Sequence, residues 1–363
     1  MRIFPIKTKS PGAKPLNFRK TFQSLFWLIP AGVIGHVVFS LLKTDPSVFR
    51  SLDQFSYEYL ILAAILCIFP WFPDALKLMW WTRFLDHPIS YKESLSIIVS
   101  SELGSAISPT AVGGGYVKLG MLIRKGFPAG MAASLMLLGS IEMGVFFSIA
   151  VPVSVILSRA YDLPLFHQIR DQFFSHIKPV PGMIILTVLI FILVMILFVL
   201  PHVHWGSSIH WVCKLRERIV RFRRDFMVIY QLIGIRGKKQ FGLNLLLTAI
   251  QWISRYSVVT ALLLFLNLPV QPVLFFLLQW AVFSLGILIP TPGGTVGVET
   301  AFYFVYASFI PEGMIGLATS LWRFMTYYFL LILDSIFVSI VHFKIHRSKI
   351  KWLGNCLGYL IKI

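Results

Sequence analysis

From Gly182 to Leu200 the chain runs without a single charged residue, a stretch that matches the ~20 residues an α-helix needs to cross the hydrocarbon of a bilayer. Thr21 to Leu42 and Phe241 to Leu266 are apolar windows of similar length. A water-soluble domain carries roughly 25% charged residues, whereas this chain has 13% charged and 57% hydrophobic residues. The expected fold class is an all-α polytopic membrane protein, so folding arguments from water apply only to its loops.

The formal net charge of +18 raises nucleic acid as a partner. The basic residues stand in blocks beside apolar spans rather than interleaved with aromatics in a soluble domain, which argues against it. Orientation by the positive-inside bias and attraction to anionic lipid account for the blocks. Cys67, Cys213 and Cys356 have neither disulfide nor zinc spacing, and no cofactor is implied. The N-terminal "MRIFPIKTKSPGAKPLNFRK" precedes an apolar run too long for a signal-peptide core and without a small-residue cleavage site. It reads as a cytoplasmic tail, residues 1–20, ahead of a retained span.

Apolar runs fix spans and Lys/Arg fixes sides, so the chain can be threaded. Span 1, Thr21 to Leu42, exits to an outer loop with three acids, Lys43 to Glu58. Span 2 returns from near Tyr59, kinked by Pro70 and Pro73, and ends at Lys77 and Arg83 with Trp80 and Trp81 as interfacial anchors. Segment 88–127 begins and ends among basic residues. Its "SLSIIVSSELGSAISP" is too short and serine-rich to span alone, and it runs into the breakers "SPTAVGGGYVKLG". It is expected to be a hairpin entering from the inside. Span 3, Pro128 to Leu157, completes a first membrane repeat, residues 21–160.

After an outer loop, 161–178, the second repeat covers 179–343. Span 4, Gly182 to Leu200, leads to segment 202–240, with nine Lys/Arg against two acids and the mixed pattern of an interfacial amphipathic helix. Each basic residue near an anionic leaflet contributes about 1 kcal/mol. Span 5, Phe241 to Leu266, exits, and the last span, Leu317 to Phe343, re-enters ahead of the basic tail 344–363. Segment 269–316 therefore starts and ends outside and holds "LIPTPGGTVGVETAF", a second hairpin from the opposite side. Both termini are expected in the cytoplasm and the location is the inner cell membrane.

The hairpins resemble each other. "SPTAVGGGYVKLG" and "IPTPGGTVGVET" share Pro-Thr and a glycine pair, and Pro109 precedes Glu142 by the same distance as Pro290 precedes Arg323. Pro128 and Pro311 open the following span in each half. Each half then reads as three spans plus a hairpin, about six full spans and two hairpins, in the opposite orientations of an inverted-repeat transporter. The alternative is that both motifs are surface loops between pairs of short spans.

Charges inside such spans are costly, about 2.5 to 3.5 kcal/mol at the centre even by the lower estimates, and they pair or line pathways. Arg255 lies roughly 20 Å from either end of span 5 at about 1.5 Å per residue. Glu102 and Glu299 fall in the hairpins, Glu142 is midway along span 3, and Arg323 and Asp334 share the last span, at a separation that returns to nearly one helix face. Helix N-termini freed at the glycine clusters can hold an anion, with Lys118, Arg255 and Arg323 as cations. The competing reading is structural ion pairing, such as Glu142 or Glu299 with Arg323.

The sequence "PTPGGTVGVETAF" followed by Arg323 in "ATSLWRFMTYYF" resembles the signature of the flippase-like membrane family named for the transmembrane region of lysylphosphatidylglycerol synthase. The resemblance extends over nearly the whole chain. It puts the family's turn on Pro292, Gly293 and Gly294, its acid on Glu299 and its arginine on Arg323. The first-half motif falls on Gly113, Gly114, Gly115 and Lys118, with Gly115 where the family has an acid; Met143 follows Glu142 where it has an arginine, and Val296 stands where it has a glycine. The resemblance implies movement of phospholipids or polyprenyl-linked lipids between leaflets. The namesake's soluble aminoacyltransferase domain has no counterpart after Phe343, so synthase activity is not expected.

The sequence thus favours a non-enzymatic lipid translocator binding an anionic head group through Arg323, Glu299, Arg255, Lys118, Glu142, Gly293, Gly294, Gly113 and Gly114. No GxxxxGK[ST] motif is present for nucleotide coupling, and Glu142 and Glu299 are candidate proton carriers. The rivals are an intramembrane enzyme with Glu299 as general base, against which no HExxH, GxSxG or metal-spaced cluster occurs, and a scaffold for a lipid-modifying enzyme. A second copy of the chain is a further candidate partner.

Overall fold

The computed structural model describes residues 55–108, 112–162, 236–286 and 297–341, with isolated positions between 220 and 234. Spans 1 and 4, both tails, most of the loop 161–178 and of the basic segment 202–240, and the breakers Pro109, Pro290, Pro292, Gly293 and Gly294 lie outside them. Every regular element among the described residues is helical. Four helices are long and apolar enough to cross a membrane: Tyr57–Phe84, Ala129–Ser158, Lys238–Phe265 and Glu312–Val341. The expected all-α membrane class is therefore observed. The chain divides into two compact units, Met1–Arg124 with Leu246–Ile363, and Lys125–Leu245.

In the first unit, α1 (Tyr57–Ile68) and α2 (Trp71–Phe84) form one span broken at Phe69 and Pro70. Pro70 has no N–H to donate, yet its carbonyl accepts from the Asp74 amide at 3.3 Å, so the helix resumes at once. Two expectations for this span need correction. Lys77 does not mark the membrane surface: it is 6% exposed, because its ammonium is taken up by partners on other parts of the unit. Trp81 is not an interfacial anchor but is 3% exposed, on the packed face of α2 with Trp71, Ala75 and Leu78.

Next come α3 (Tyr91–Ala106) and α4 (Val112–Arg124), of 16 and 13 residues. At 1.5 Å per residue they reach about 24 and 20 Å, short of the ~30 Å of hydrocarbon. A capping box starts α3: the Ser90 hydroxyl accepts from the Glu93 amide at 3.3 Å, and the Glu93 carboxylate accepts from the Ser90 amide at 2.9 Å. The two helices pack closely because small residues face each other. A Cβ on Gly113 would stand 2.5 Å from the Gly104 carbonyl, and one on Gly114 would collide with the Ser105 hydroxyl. Ser101 donates to the Gly114 carbonyl at 2.9 Å and Ser108 accepts from the Gly113 amide at 2.8 Å, the close packing that small residues allow where no hydrophobic force separates protein from lipid.

The helix α6 (Lys238–Phe265) begins in the second unit and continues in the first. One stripe of it is buried, polar in its first half (Asn244, Thr248, Gln251, Ser254) and apolar in its second (Val258, Val259, Leu262, Phe265). The opposite stripe, Leu246, Ile250 and Ile253, is exposed, as lipid-facing residues are. Asn267 closes α6 in the left-handed conformation (φ 56°). Its side-chain oxygen accepts from Ser56 at 2.8 Å, so the start of α1 meets the end of α6; the threading puts these two ends on one side of the membrane.

A second pair of short helices follows, α7 (Pro272–Gly286) and α8 (Gly297–Tyr306). They approach so closely that a Cβ on Gly286 would collide with Val298. The last helix, α9, starts at Glu312 behind Pro311, five residues before the expected Leu317, and passes at Phe324–Phe329 through a π-helical turn before continuing to Val341. That turn overturns the expectation that Arg323 and Asp334 share a face. Eleven residues of α-helix rotate by about 20° net, but one extra residue in a wide turn moves the register by roughly a quarter turn.

The second unit holds α5 (Ala129–Ser158), interrupted in sequence but not in helicity by Pro152. Met131, Leu135, Leu138, Glu142 and Phe146 form its buried stripe. Ser134, Ser148 and Ser158 each return their hydroxyl to the carbonyl four residues earlier, at 2.6–2.9 Å, the solution open to a hydroxyl where water is absent. The starts of α5 and α9 match: Pro128 and Pro311 have φ of −55° and −52° with ψ of 142° and 141°, and each opens a 30-residue helix.

Candidate functional site

The intramembrane charges of the first unit fall into two groups. The closed group centres on Arg323, whose Nε lies 3.1 Å from a Glu299 carboxylate oxygen, with 4% and 21% of the side chains exposed. Of the pairings open to Arg323 in the sequence, the one with Glu299 is observed. The guanidinium also stacks 4.2 Å from the centre of the Tyr327 ring, which belongs to the π-helical turn. The Tyr327 hydroxyl donates to the Ala106 carbonyl at the end of α3, at 2.9 Å.

Next to Arg323 in the chain, Trp322 enters a buried network the sequence reading missed. The Trp322 indole donates to the Gln279 side-chain oxygen at 3.1 Å, the Gln279 amide donates to the Tyr306 hydroxyl at 3.1 Å, and that hydroxyl donates to the Phe275 carbonyl at 3.1 Å. Phe302 stacks between Tyr306 and Trp322, at 4.4 and 4.5 Å between centroids. Helices α7, α8 and α9 are joined by these contacts beside Arg323. Their only sequence signal is a glutamine amid apolar residues in "PVLFFLLQWAVF", a polar group that must find partners when buried.

The open group gathers charges from five helices, α2, α3, α4, α6 and α9. Arg255 on α6 donates to Glu102 on α3 at 2.7 Å, and each side chain is 28% exposed. Lys77 on α2 lies 3.4 Å from Asp74 and donates to Gln251 at 2.6 Å and to Thr248 at 3.1 Å. Lys118 on α4 is half-buried and close enough to act on Asp74 by its charge, but it forms no hydrogen bond or ion pair with the described residues. Asp334 is 2% exposed, with Glu102 and Arg255 the charges that act on it. Lys77 and Asp74 are the members the sequence reading missed as site residues. The i, i+3 acid and lysine within an apolar helix was the available signal.

Of the residues singled out in the sequence, Arg323 with Glu299, and Arg255 with Lys118, thus enter the two groups. Gly113 and Gly114 serve the α3–α4 contact, and Gly114 is buried. Glu142 is buried on α5 in the second unit. Gly293 and Gly294 are outside the described residues. No group of three or more His, Cys, Asp or Glu among the described residues is placed to share a metal ion.

Residues 27–333 match the family model described as the lysylphosphatidylglycerol synthase TM region. A UPF0104 membrane protein of Archaeoglobus fulgidus is 24% identical over 315 residues, covering 82% of this chain and 89% of that protein. The match takes in both charge groups except Asp334, with the short helix pairs α3–α4 and α7–α8. The chain is a membrane protein of the lysylphosphatidylglycerol synthase transmembrane-region family.

Proposed function

We propose that the chain moves an anionic phospholipid or polyprenyl-linked lipid between leaflets without changing it chemically. The carrying observation is the open group: Lys118, a half-buried cation with no ion-pair partner among the described residues, and Arg255, which is paired with Glu102 and partly exposed, both act by their charge on Asp74. A cation in apolar surroundings is costly unless an anion reaches it. A phosphate head group can meet Lys118 directly and Arg255 by displacing Glu102, with both its hydrogen bonds charge-assisted. The acyl or prenyl chains stay among the exposed apolar faces of α1 and α6.

In this reading the short helix pairs α3–α4 and α7–α8 are re-entrant hairpins of two inverted repeats. Their lengths and the matched openings at Pro128 and Pro311 support that architecture. Irregular backbone at membrane depth is tolerated where protein buries it or a wet cavity borders it, and rocking of one repeat against the other would expose the site alternately. Both termini are assigned to the cytoplasm and the membrane to the inner cell membrane, on the basic blocks of the sequence. The Arg323–Glu299 pair acts in this scheme as a clamp on the second hairpin.

Proteoliposomes carrying a head-group-labelled anionic lipid test the proposal. Protein-dependent loss of inner-leaflet protection with unchanged lipid mass is expected. A changed head-group mass would instead establish an enzyme, and neither effect from folded protein would favour a scaffold.

A further inference from the structure

The C-terminus of α3, like that of any helix, leaves carbonyls without an intrahelical donor. The Ile107 amide donates to the Leu103 carbonyl at 3.2 Å and the Ser108 amide to that of Ser105 at 3.3 Å. The Ala106 carbonyl accepts instead from the Tyr327 hydroxyl of α9, at 2.9 Å. Where water is scarce, a side chain has to supply such a donor. Apolar packing holds the same place, with Leu103, Ala106 and Ile107 set against Tyr327, Tyr328 and Leu331. Just beyond, the Ser108 hydroxyl accepts from the Gly113 amide at 2.8 Å and fastens the start of α4 to the end of α3.

The first turn of α8 is held from the same helix. Glu299 is the third residue of α8, and its carboxylate lies 3.1 Å from Arg323 Nε. The Arg323 guanidinium in turn rests 4.2 Å from the centre of the Tyr327 ring, an attraction that grows when both groups are withdrawn from water. One series of contacts therefore runs from the start of α8 through Glu299, Arg323 and Tyr327 to the end of α3. Arg323 and Tyr327 are enclosed, at 4% and 7% exposed, so neither can turn out to solvent. In packing this close, a displacement of one is taken up by the other.

We infer that Tyr327 is a positioning residue that couples the start of α8 to the end of α3, so that the two ends shift together rather than independently. The face of its ring bears on Arg323 and its hydroxyl holds Ala106. When Glu299 releases Arg323, the guanidinium leaves the ring, the ring tilts, and the Ala106 carbonyl loses its donor. In the translocation reading the two ends open and close as one, and that consequence rests on that reading; the coupling itself does not.

Hydrogen–deuterium exchange of the full chain in lipid nanodiscs tests the coupling without any lipid movement. The amides of Ile107 and Ser108, bonded within the end of α3, are the reporters. Glu299→Gln frees Arg323 at the far end of the series and should speed their exchange about tenfold, within the range of coupling between residues in contact. Tyr327→Phe keeps the ring and removes only the hydroxyl. It should speed the same amides, and Glu299→Gln added to it should change them by less than about twofold. Because coupling is reciprocal, Tyr327→Phe should also speed exchange from Ala301 to Tyr303 in α8, while α5 in the second unit stays as in wild type. Unchanged exchange at Ile107 and Ser108 in Glu299→Gln, or the same acceleration whether residue 327 is tyrosine or phenylalanine, overturns the inference. An effect of Tyr327→Phe confined to α3, or acceleration by either variant that extends equally into α5, overturns it too. Lipid movement is scored separately on the same preparations: its absence in wild type overturns the translocation reading and leaves the exchange result to decide the coupling.

Discussion

The Arg323–Glu299 pair and the Arg255–Glu102 pair have the same chemistry and opposite surroundings. Arg323 is 4% exposed, covered by Tyr327 and set beside the Gln279–Tyr306–Trp322 network, whereas Arg255 and Glu102 each keep 28% of their side chains exposed. Further charges belong to the second pair's group: Lys118, Asp334 and the Asp74–Lys77 pair. An ion pair whose arginine is enclosed by protein serves position, because removing one member strands the other. An ion pair with access and with competing partners can open when a ligand arrives. Exposure and neighbours, rather than residue type, separate a clamp from a site.

Breaking the clamp is expected to have the largest effect. Arg323→Ala leaves Glu299 without its counter-charge and should cost about 3 to 5 kcal/mol, visible as loss of monodisperse protein in detergent or a sharply lowered melting temperature. Pairing it with Glu299→Gln should restore much of the loss, since the unpaired charge is then gone. Arg255→Ala, in the more exposed pair, should cost on the order of 1 kcal/mol. Equal losses for the two arginines would erase the distinction between clamp and site.

The helix contacts allow a second grading. Gly114→Ala drives a methyl into Ser105, and overpacking of this kind costs about 1 to 3 kcal/mol, whereas Gly120 has nothing within 4 Å of an added Cβ and Gly120→Ala should be neutral or stabilising by up to about 1 kcal/mol. Thermal unfolding of the two variants side by side checks this. Smallest of all, Ser90→Ala removes the cap of α3 and should cost about 1 kcal/mol, with no change in lipid movement beyond what stability dictates.

Much of the helical plan could be read from the sequence, because apolar length is a direct physical requirement of the bilayer. The helix from Ala129 to Ser158 and that from Lys238 to Phe265 lie within three residues of the expected spans. Lys77 was misplaced because a lysine near a span end ordinarily reaches the interface, and only the fold brings Thr248 and Gln251 to it. The π-helical turn at Phe324–Phe329 leaves no mark in residue spacing, so Arg323 and Asp334 were expected on one face. In the candidate site, charges in apolar helices pointed to Arg255, Glu102, Glu299 and Arg323. Which acid met which arginine depends on contacts between residues far apart in the chain, and Glu102 with Arg255 is such a pairing.

The most direct measurement compares Lys118→Ala with wild type in proteoliposomes loaded with labelled anionic lipid, with melting temperature recorded on the same preparations. Loss of one charge-assisted contact worth about 1.4 kcal/mol slows movement about tenfold. The account predicts that slowing with melting unchanged, and no slowing for a zwitterionic label in either protein. Anionic lipid moving at the wild-type rate in Lys118→Ala, or slowing only in step with lost stability, would contradict the placement of the head group at the open cluster.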